Sequence, residues 1–285
     1  MSGTDLQTGA PAPGLRRAGA RLPLGEYTRR LWERRWFVLA YSNASSSVGY
    51  EGSFLGQAWQ VLTPTMQILV YYFIFGLLLH TNRGVPNFIA YLAVGVFTFS
   101  LCSSSLVNGS RAITGNQGLV RALQFPRAVL PISVTLVSLR RLAYSLAIVI
   151  PILLVRGVFP TLRWLEVLPA VALQALFCLS ITFVVARIAA KVPDTSQLLP
   201  FVARVWMYLS GVMYSVRVFT KGHAAWVGWV LSINPASVYL ALNRHALLGT
   251  QMSAWSWLYG AAWAVGSLMI AYPYFWRGEE KYGNV

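Results

Sequence analysis

Apolar runs long enough to cross a bilayer alternate with short polar breaks along most of this chain. A spanning helix needs about 20 mainly apolar residues. Six segments reach or approach that length: residues 57–79, 88–109, 128–155, 164–189, 197–215 and 254–276. The pattern predicts an all-α integral membrane protein with six transmembrane helices. Ahead of them, LGEYTRRLWERRWFVLAYSN behaves differently. Leu24, Tyr27, Leu31, Trp32 and Arg35/Trp36 recur at helical spacing, with Arg29, Arg30, Glu33 and Arg34 between them. Such a helix is too charged to span, so an amphipathic helix lying in the membrane interface is expected over residues 24–45. Residues 1–23, rich in Gly, Pro, Ala and Arg, have no apolar core and read as a disordered cytoplasmic tail rather than a secretory signal. The transmembrane domain then occupies residues 46–285.

Between the fifth and sixth spans, residues 216–253 are too long for a simple turn and too broken to span. AAWVGWVLSIN, then Pro235, then SVYLALNRHALLG read as two short helices interrupted at Asn234-Pro235. Each piece is about half a membrane thickness at ~1.5 Å per residue. A re-entrant helical hairpin at the outer face is expected. Trp226, Trp229 and Tyr239 would suit the interface, and the Asn-Pro break would be buried in protein.

Composition agrees with a membrane setting: 56% of residues are hydrophobic, 11% are charged, and mean hydropathy is +0.55. Soluble domains carry about 25% charged residues. The net charge of +15 reports topology rather than a nucleic-acid partner. With the N-terminus inside, fourteen basic residues fall on the cytoplasmic face against six on the outer face. The positive-inside rule therefore places both termini in the cytoplasm of a multi-pass plasma-membrane protein. Cys102 and Cys178 lie in apolar runs and read as small buried hydrophobes, and the three His residues are scattered without metal spacing. No Lys follows a Gly-x-x-x-x-Gly, so the chain has no P-loop. No carboxylate pair or nucleophile elbow supports an enzyme.

The spans carry polar stripes instead. Gln60, Thr63 and Gln67 share one face of the first, with Tyr71 a turn further on. Ser100, Ser104, Asn108 and Arg111 stripe the second, and Arg204, Tyr208, Gly211 and Ser215 the fifth. Polar faces of spanning helices either glue helices together or line a wet path. Arg204 favours the path, because an Arg in hydrocarbon costs at least about 2.5–3.5 kcal/mol. Arg140 and Arg141 leave two readings. If the third span starts near Pro131 they lie ~13 Å deep and need a polar cavity. If it starts near Leu142, the span is only ~21 Å long against a ~30 Å core.

Five short motifs in register resemble polysaccharide-exporting ABC permeases of the Wzm/TarG type. GSFLGQAWQVLTP (52–64) is similar to the Leu-Gly-x-x-Trp-x-x-x-x-Pro signature opening their first span. NQGLVRALQFPRAVLP (116–131) resembles their Phe-Pro-Arg segment before the third, and KVPDTSQLLPF (191–201) the element entering the fifth. SGVMYS (210–215) and INPASVYLALNRHALLG (233–249) resemble the Ser-Pro-Val-x-Tyr and Asn-Pro regions, with Gly211 in place of the usual Pro. The resemblance runs from about residue 27 to the end. The Arg-rich, Lys-poor composition suits an actinobacterial member, where the role includes export of lipid-linked galactan.

The resemblance implies a homodimer joined to two copies of a separate ABC ATPase, which would hold ATP and Mg²⁺; this chain itself would need no cofactor. It makes 111–127 a cytoplasmic coupling segment. Gly118, Leu119, Leu123 and Phe125 would seat in the ATPase, Arg121 and Arg127 would pair with carboxylates or lipid phosphate, and Pro126 would end the short helix. Trp32, Arg34 and Arg35 would form a cytoplasmic gate for a polyprenyl-diphosphate-linked glycan of the O-antigen, teichoic acid or galactan class. Gln60, Thr63, Gln67, Tyr71, Ser104, Asn108, Arg140, Arg141, Arg204 and Tyr208 would line the channel. Asn234, Pro235, Trp229 and Tyr239 would form the outer gate. Two other readings stay open: an exporter of small drugs or lipids, and a membrane-embedded enzyme modifying glycans or lipids, which should show an acidic or His cluster.

Overall fold

The computed structural model describes residues 22–48, 58–78, 87–216 and 225–283. The tail at 1–21, residues 52–57 of the first motif and residues 217–224 of the hairpin lie outside them. Eleven α-helices run along the described chain: α1 (Leu24–Glu33), α2 (Arg35–Val48), α3 (Trp59–Tyr71), α4 (Phe88–Thr114), α5 (Gln117–Ala122), α6 (Val129–Val155), α7 (Val167–Lys191), α8 (Thr195–Leu209), α9 (Ala225–Ile233), α10 (Pro235–Leu248) and α11 (Ser256–Trp276). A π turn extends α3 through Leu78, and short 3₁₀ turns occupy Leu162–Glu166 and Glu279–Gly283. Among the described residues there is no strand.

Among the described residues each predicted span is mostly helical, but the six are not equivalent. Phe88–Thr114, Val129–Val155 and Leu162–Lys191 are long and apolar enough to cross a membrane. α8 has only 15 residues, ~22 Å at the helical rise, because Ser210 and Gly211 end it. Gly211 takes φ +69°, a left-handed turn that the Pro expected at this position could not make.

α4 is the axis of the fold. Its first half is apolar on every side, as befits a helix surrounded by protein. It packs against α6, α7, α8 and α10. Small and polar residues set the α4–α7 spacing. A Cβ on Gly109 would stand 3.0 Å from the Thr182 and Val185 methyls, so any larger residue would press α7 away. Up the same seam, Thr182 Oγ1 donates to the Ser105 carbonyl at 3.3 Å, the Cys178 and Cys102 sulfurs stand 3.6 Å apart, and Gln174 Nε2 donates to the Thr98 carbonyl at 2.6 Å. The two cysteines are buried and reduced.

The interfacial helix departs from its prediction. The chain breaks at Arg34, whose φ of −92° and ψ of 16° end α1. Two packing demands force the break: α1 rests Tyr27, 1% exposed, on the C-terminal segment, while α2 lays Val38 and Ser42 along α6. Leu24, Tyr27 and Leu31 face inward as their spacing predicts. Trp32 and Trp36, grouped with them in the sequence, point outward at 70% and 69% exposure.

Candidate functional site

The 116–127 segment is built into one end of the bundle together with both terminal regions. Asn116 starts it by accepting from the Tyr41 hydroxyl at 2.6 Å and donating to the Ala112 carbonyl at 2.8 Å. α5 follows for six residues, and Leu123 turns extended. Gly118, Arg121 and Leu123 are exposed, and Leu119 is half-buried. Phe125 and Pro126 turn inward. Phe125 is 9% exposed and meets the Phe37 ring edge-on at 5.7 Å. Its apolar side chain is thus seated against α2 within this chain.

Arg127 and the start of α6 are held by Glu279. The Arg127 backbone N–H donates to Glu279 Oε1 at 2.9 Å, and the Arg127 guanidinium donates to the Glu279 carbonyl. The Tyr27 hydroxyl donates to Glu279 Oε2 at 2.9 Å and accepts from the Ala128 N–H at 3.0 Å. Backbone N–H groups that have no partner within α6 are therefore satisfied by two residues far away in the chain. Burial raises the Glu279 carboxyl above its ordinary range, opposed by the Arg127 N–H and the Tyr27 hydroxyl. Burial also holds the Tyr27 phenol well above its usual value, and neighbouring Glu279 adds to this. Arg127 thus bonds within its own chain through both its backbone and its guanidinium.

Beside this knot, Arg35 lies over the Trp32 and Trp36 rings at 5.6 and 5.8 Å and donates to the Trp32 carbonyl at 3.3 Å. Arg34 is exposed next to it. The result is an outward cation–aromatic patch on the helix break.

The proposed channel residues divide into three groups. Thr63, Gln67 and Tyr71 on α3, with Arg204 and Tyr208 on α8, stand at the protein surface. Tyr71 donates to Met207 Sδ at 3.7 Å, which joins the end of α3 to α8 beside these exposed residues. Around these polar groups the face is apolar: Met66 and Phe201 are 54% and 68% exposed. Gln60 lies in α3, but its side chain is outside the described set. Ser104 and Asn108 are half-buried on α4. Arg140 is held by α2. It donates to the Ser42 carbonyl at 3.3 Å, Asn43 Oδ1 at 2.5 Å, Ser46 Oγ at 3.2 Å and the Ser42 hydroxyl. Neither sequence reading of Arg140 foresaw a second helix running alongside to solvate it. Arg141 is half-buried next to it.

At the opposite end, Asn234 separates α9 from α10 as expected and uses its full hydrogen-bonding capacity. Its Oδ1 accepts from Trp206 Nε1 at 3.0 Å and the Ala236 N–H at 3.1 Å, while Nδ2 donates to the Leu209 carbonyl at 3.3 Å and Ser210 Oγ at 3.2 Å. Pro235 fits the first turn of α10, where no N–H is needed. Trp229 is exposed. Tyr239 is not at an interface: it is fully buried, 5.4 Å from Phe177, with its hydroxyl on the Gly260 carbonyl at 2.9 Å. The reason is that α10 inserts among α4, α7 and α11.

Three residues escaped the sequence reading. Gln174, the lone amide in an apolar span, bridges α4 and α10 by accepting from Asn243 Nδ2 at 3.4 Å. Arg244, counted among outer-face charges, is 5% exposed inside the bundle. Glu279 was hidden in a polar terminus. Among the described residues no group of three or more His, Cys, Asp or Glu gathers where a metal could bind.

Comparisons with known proteins agree on one relationship. The profile of ABC-2 type transporters matches residues 38–248. The chain is 30% identical over 209 residues to the O-antigen export system permease protein RfbA of Myxococcus xanthus, covering 73% of this chain and 78% of that one. It is 24% identical over 215 residues to the Klebsiella pneumoniae protein of the same name, covering 75% and 81%. It is also 24% identical over 200 residues to the polysialic acid transport protein KpsM of Escherichia coli, covering 68% and 74%. The match spans α2 to α10, from the helix that solvates Arg140 to the one that carries Arg244, and the chain belongs to the ABC-2 type transporter family.

Proposed function

We propose that this chain is the membrane subunit of an exporter of polyprenyl-diphosphate-linked polysaccharide, driven by a separate ATPase. The observation that carries the reading is the open face of α3 and α8. It sets Thr63, Gln67, Arg204 and Tyr208 among large exposed apolar side chains. Lipid would charge at least about 2.5–3.5 kcal/mol for Arg204 alone. A second copy turned face to face would instead enclose these groups in a wet path between protomers, with Tyr71 and Tyr208 offering rings to sugar C–H faces. The kinship with O-antigen and polysialic acid permeases supports a glycan cargo.

In this reading six helices cross the plasma membrane, and the end bearing α1, α5 and the 3₁₀ turn at Glu279–Gly283 faces the cytoplasm. The ATPase, two copies for two permeases, binds ATP and Mg²⁺ and docks on the exposed side of α5 through Gly118, Arg121 and Leu123. Phe125, Pro126 and Arg127 pass its movement to α2 and α6. The Trp32–Arg35–Trp36 patch, with Arg34, receives the diphosphate. Asn234 and Pro235 hinge the outer hairpin.

The test is export in proteoliposomes holding this chain, its ATPase and a lipid-linked glycan. ATP-dependent movement of glycan, lost in Arg204→Leu and retained in Arg204→Lys, supports the reading. Movement of small drugs but not glycan, or glycan chemistry without ATP, overturns it.

A further inference from the structure

A cavity of about 490 Å³ lies at the end of the bundle away from the termini. It is within the range of about 300–1,000 Å³ that small-molecule sites occupy. Residues from the start of α4, the end of α8, α10 and the start of α11 enclose it, including Tyr91, Ser237, Arg244, Gln251, Ser256 and Tyr259. No acidic residue is among the described residues that line it.

Arg244 sets its character. The guanidinium donates to the Gly211 carbonyl at 2.9 Å, the Val212 carbonyl at 2.6 Å and the Tyr91 carbonyl at 3.3 Å, and lies 3.4 Å from the Tyr91 ring centre. Its Nε is buried without a hydrogen-bond partner. The fold makes room for this group deliberately. A Cβ on Gly95, in the middle of α4, would collide with the Arg244 guanidinium and come within 2.9 Å of the Val212 carbonyl. A glycine in a helix interior costs about 1 kcal/mol relative to alanine, and here it houses an arginine. All four partners are neutral carbonyls or a ring, so the charge is not neutralised, and it gives the wall it lines a positive character.

We infer that this cavity binds a saccharide unit of the cargo at the outer mouth of the transporter. The choice of saccharide rests on the proposed function; the cavity and its unneutralised charge do not. The Ser237, Ser256 and Gln251 side chains exchange hydrogen bonds with hydroxyls, the unneutralised Arg244 charge attracts their oxygens, and the half-exposed Tyr259 ring offers a face to ring C–H groups.

The experiment uses the full chain with its ATPase in lipid nanodiscs. The probe is a set of lipid-free oligosaccharide fragments, released by mild acid from the surface polysaccharide of the source cells, with inorganic phosphate titrated in parallel. Saturation-transfer NMR is expected to show fragment binding to wild type. Ala241→Phe, which fills the cavity from its wall, should weaken binding at least about tenfold. Gln251→Leu, which keeps the bulk but removes a polar lining group, should weaken it by about 2- to 10-fold. Fragments that fail to bind, that bind Ala241→Phe as tightly as wild type, or that are outdone by phosphate alone overturn the inference. Glycan export by the wild-type complex, run alongside in proteoliposomes, separates this failure from failure of the functional reading.

Discussion

The carboxylate of Glu279 caps one helix and anchors another, and its protonation is tied to both tasks. Because burial lifts its pKa above the ordinary 4.5, the folded chain holds this proton more tightly than the unfolded one. Its contribution is complete below the ordinary value and is lost as pH rises through the raised one. Thermal stability is therefore expected to fall from mildly acidic to neutral pH, and Glu279→Gln should flatten that slope while keeping an acceptor for the Arg127 N–H and turning its amide nitrogen, as a donor, to the Tyr27 hydroxyl. Glu279→Ala should cost about 1–3 kcal/mol. Melting curves of the three forms across that pH range check this; an unchanged slope in Glu279→Gln would assign the pH dependence to another group. Gln174 gives a second residue-level expectation. Gln174→Leu removes its bonds to Thr98 and Asn243 and should destabilise the bundle by about 1–2 kcal/mol, read from the loss of melting temperature. Periodicity showed neither residue's role. A lone Gln in an apolar span signals an interhelical bond but not its partner, and Glu279 gains its meaning only from a chain segment 152 residues away.

At the scale of elements, the helices were legible because hydrophobic runs and Asn-Pro or Phe-Pro breaks are local signals. Which side of each helix faces protein was not. Spacing put Trp32 and Trp36 with Leu24 and Tyr27, yet the break at Arg34 separates them, since α1 and α2 answer to different neighbours. The coupling segment shows the same limit: its motif was visible, but the division between an outward half and an inward half was not. That division is testable. Leu123→Asp, on an exposed position, should leave melting temperature within about 0.5 kcal/mol of wild type and abolish co-purification with the ATPase. Phe125→Ala, on a buried one, should cost about 3–5 kcal/mol and weaken coupling through the loosened α2. Equal loss of stability in both variants would contradict the assignment of faces.

For the whole molecule, charge asymmetry and hydropathy announced a membrane protein, and the exposed polar face of α3 and α8 is where the proposed second copy would sit. Cys replacing Thr63 or Tyr208, in a background with Cys102 and Cys178 replaced, is expected to form cross-linked dimers in the membrane and to react with water-soluble thiol reagents. Cys at Leu168, 71% exposed on α7, should do neither. What stayed hidden at this scale was the inserted α10, because an apolar helix with one Arg reads equally well at a surface or in a core until Gly95 is seen opposite it. The knot at the other end also bears on how the protein is made. Tyr27 and its acceptor are separated by 252 positions, so a ribosome releases every span into the bilayer before the first helix can find its anchor. α1 is thereby fastened only after every later helix of the described chain has been made, and in the proposed exporter a subunit could engage its ATPase only once translation has passed Glu279.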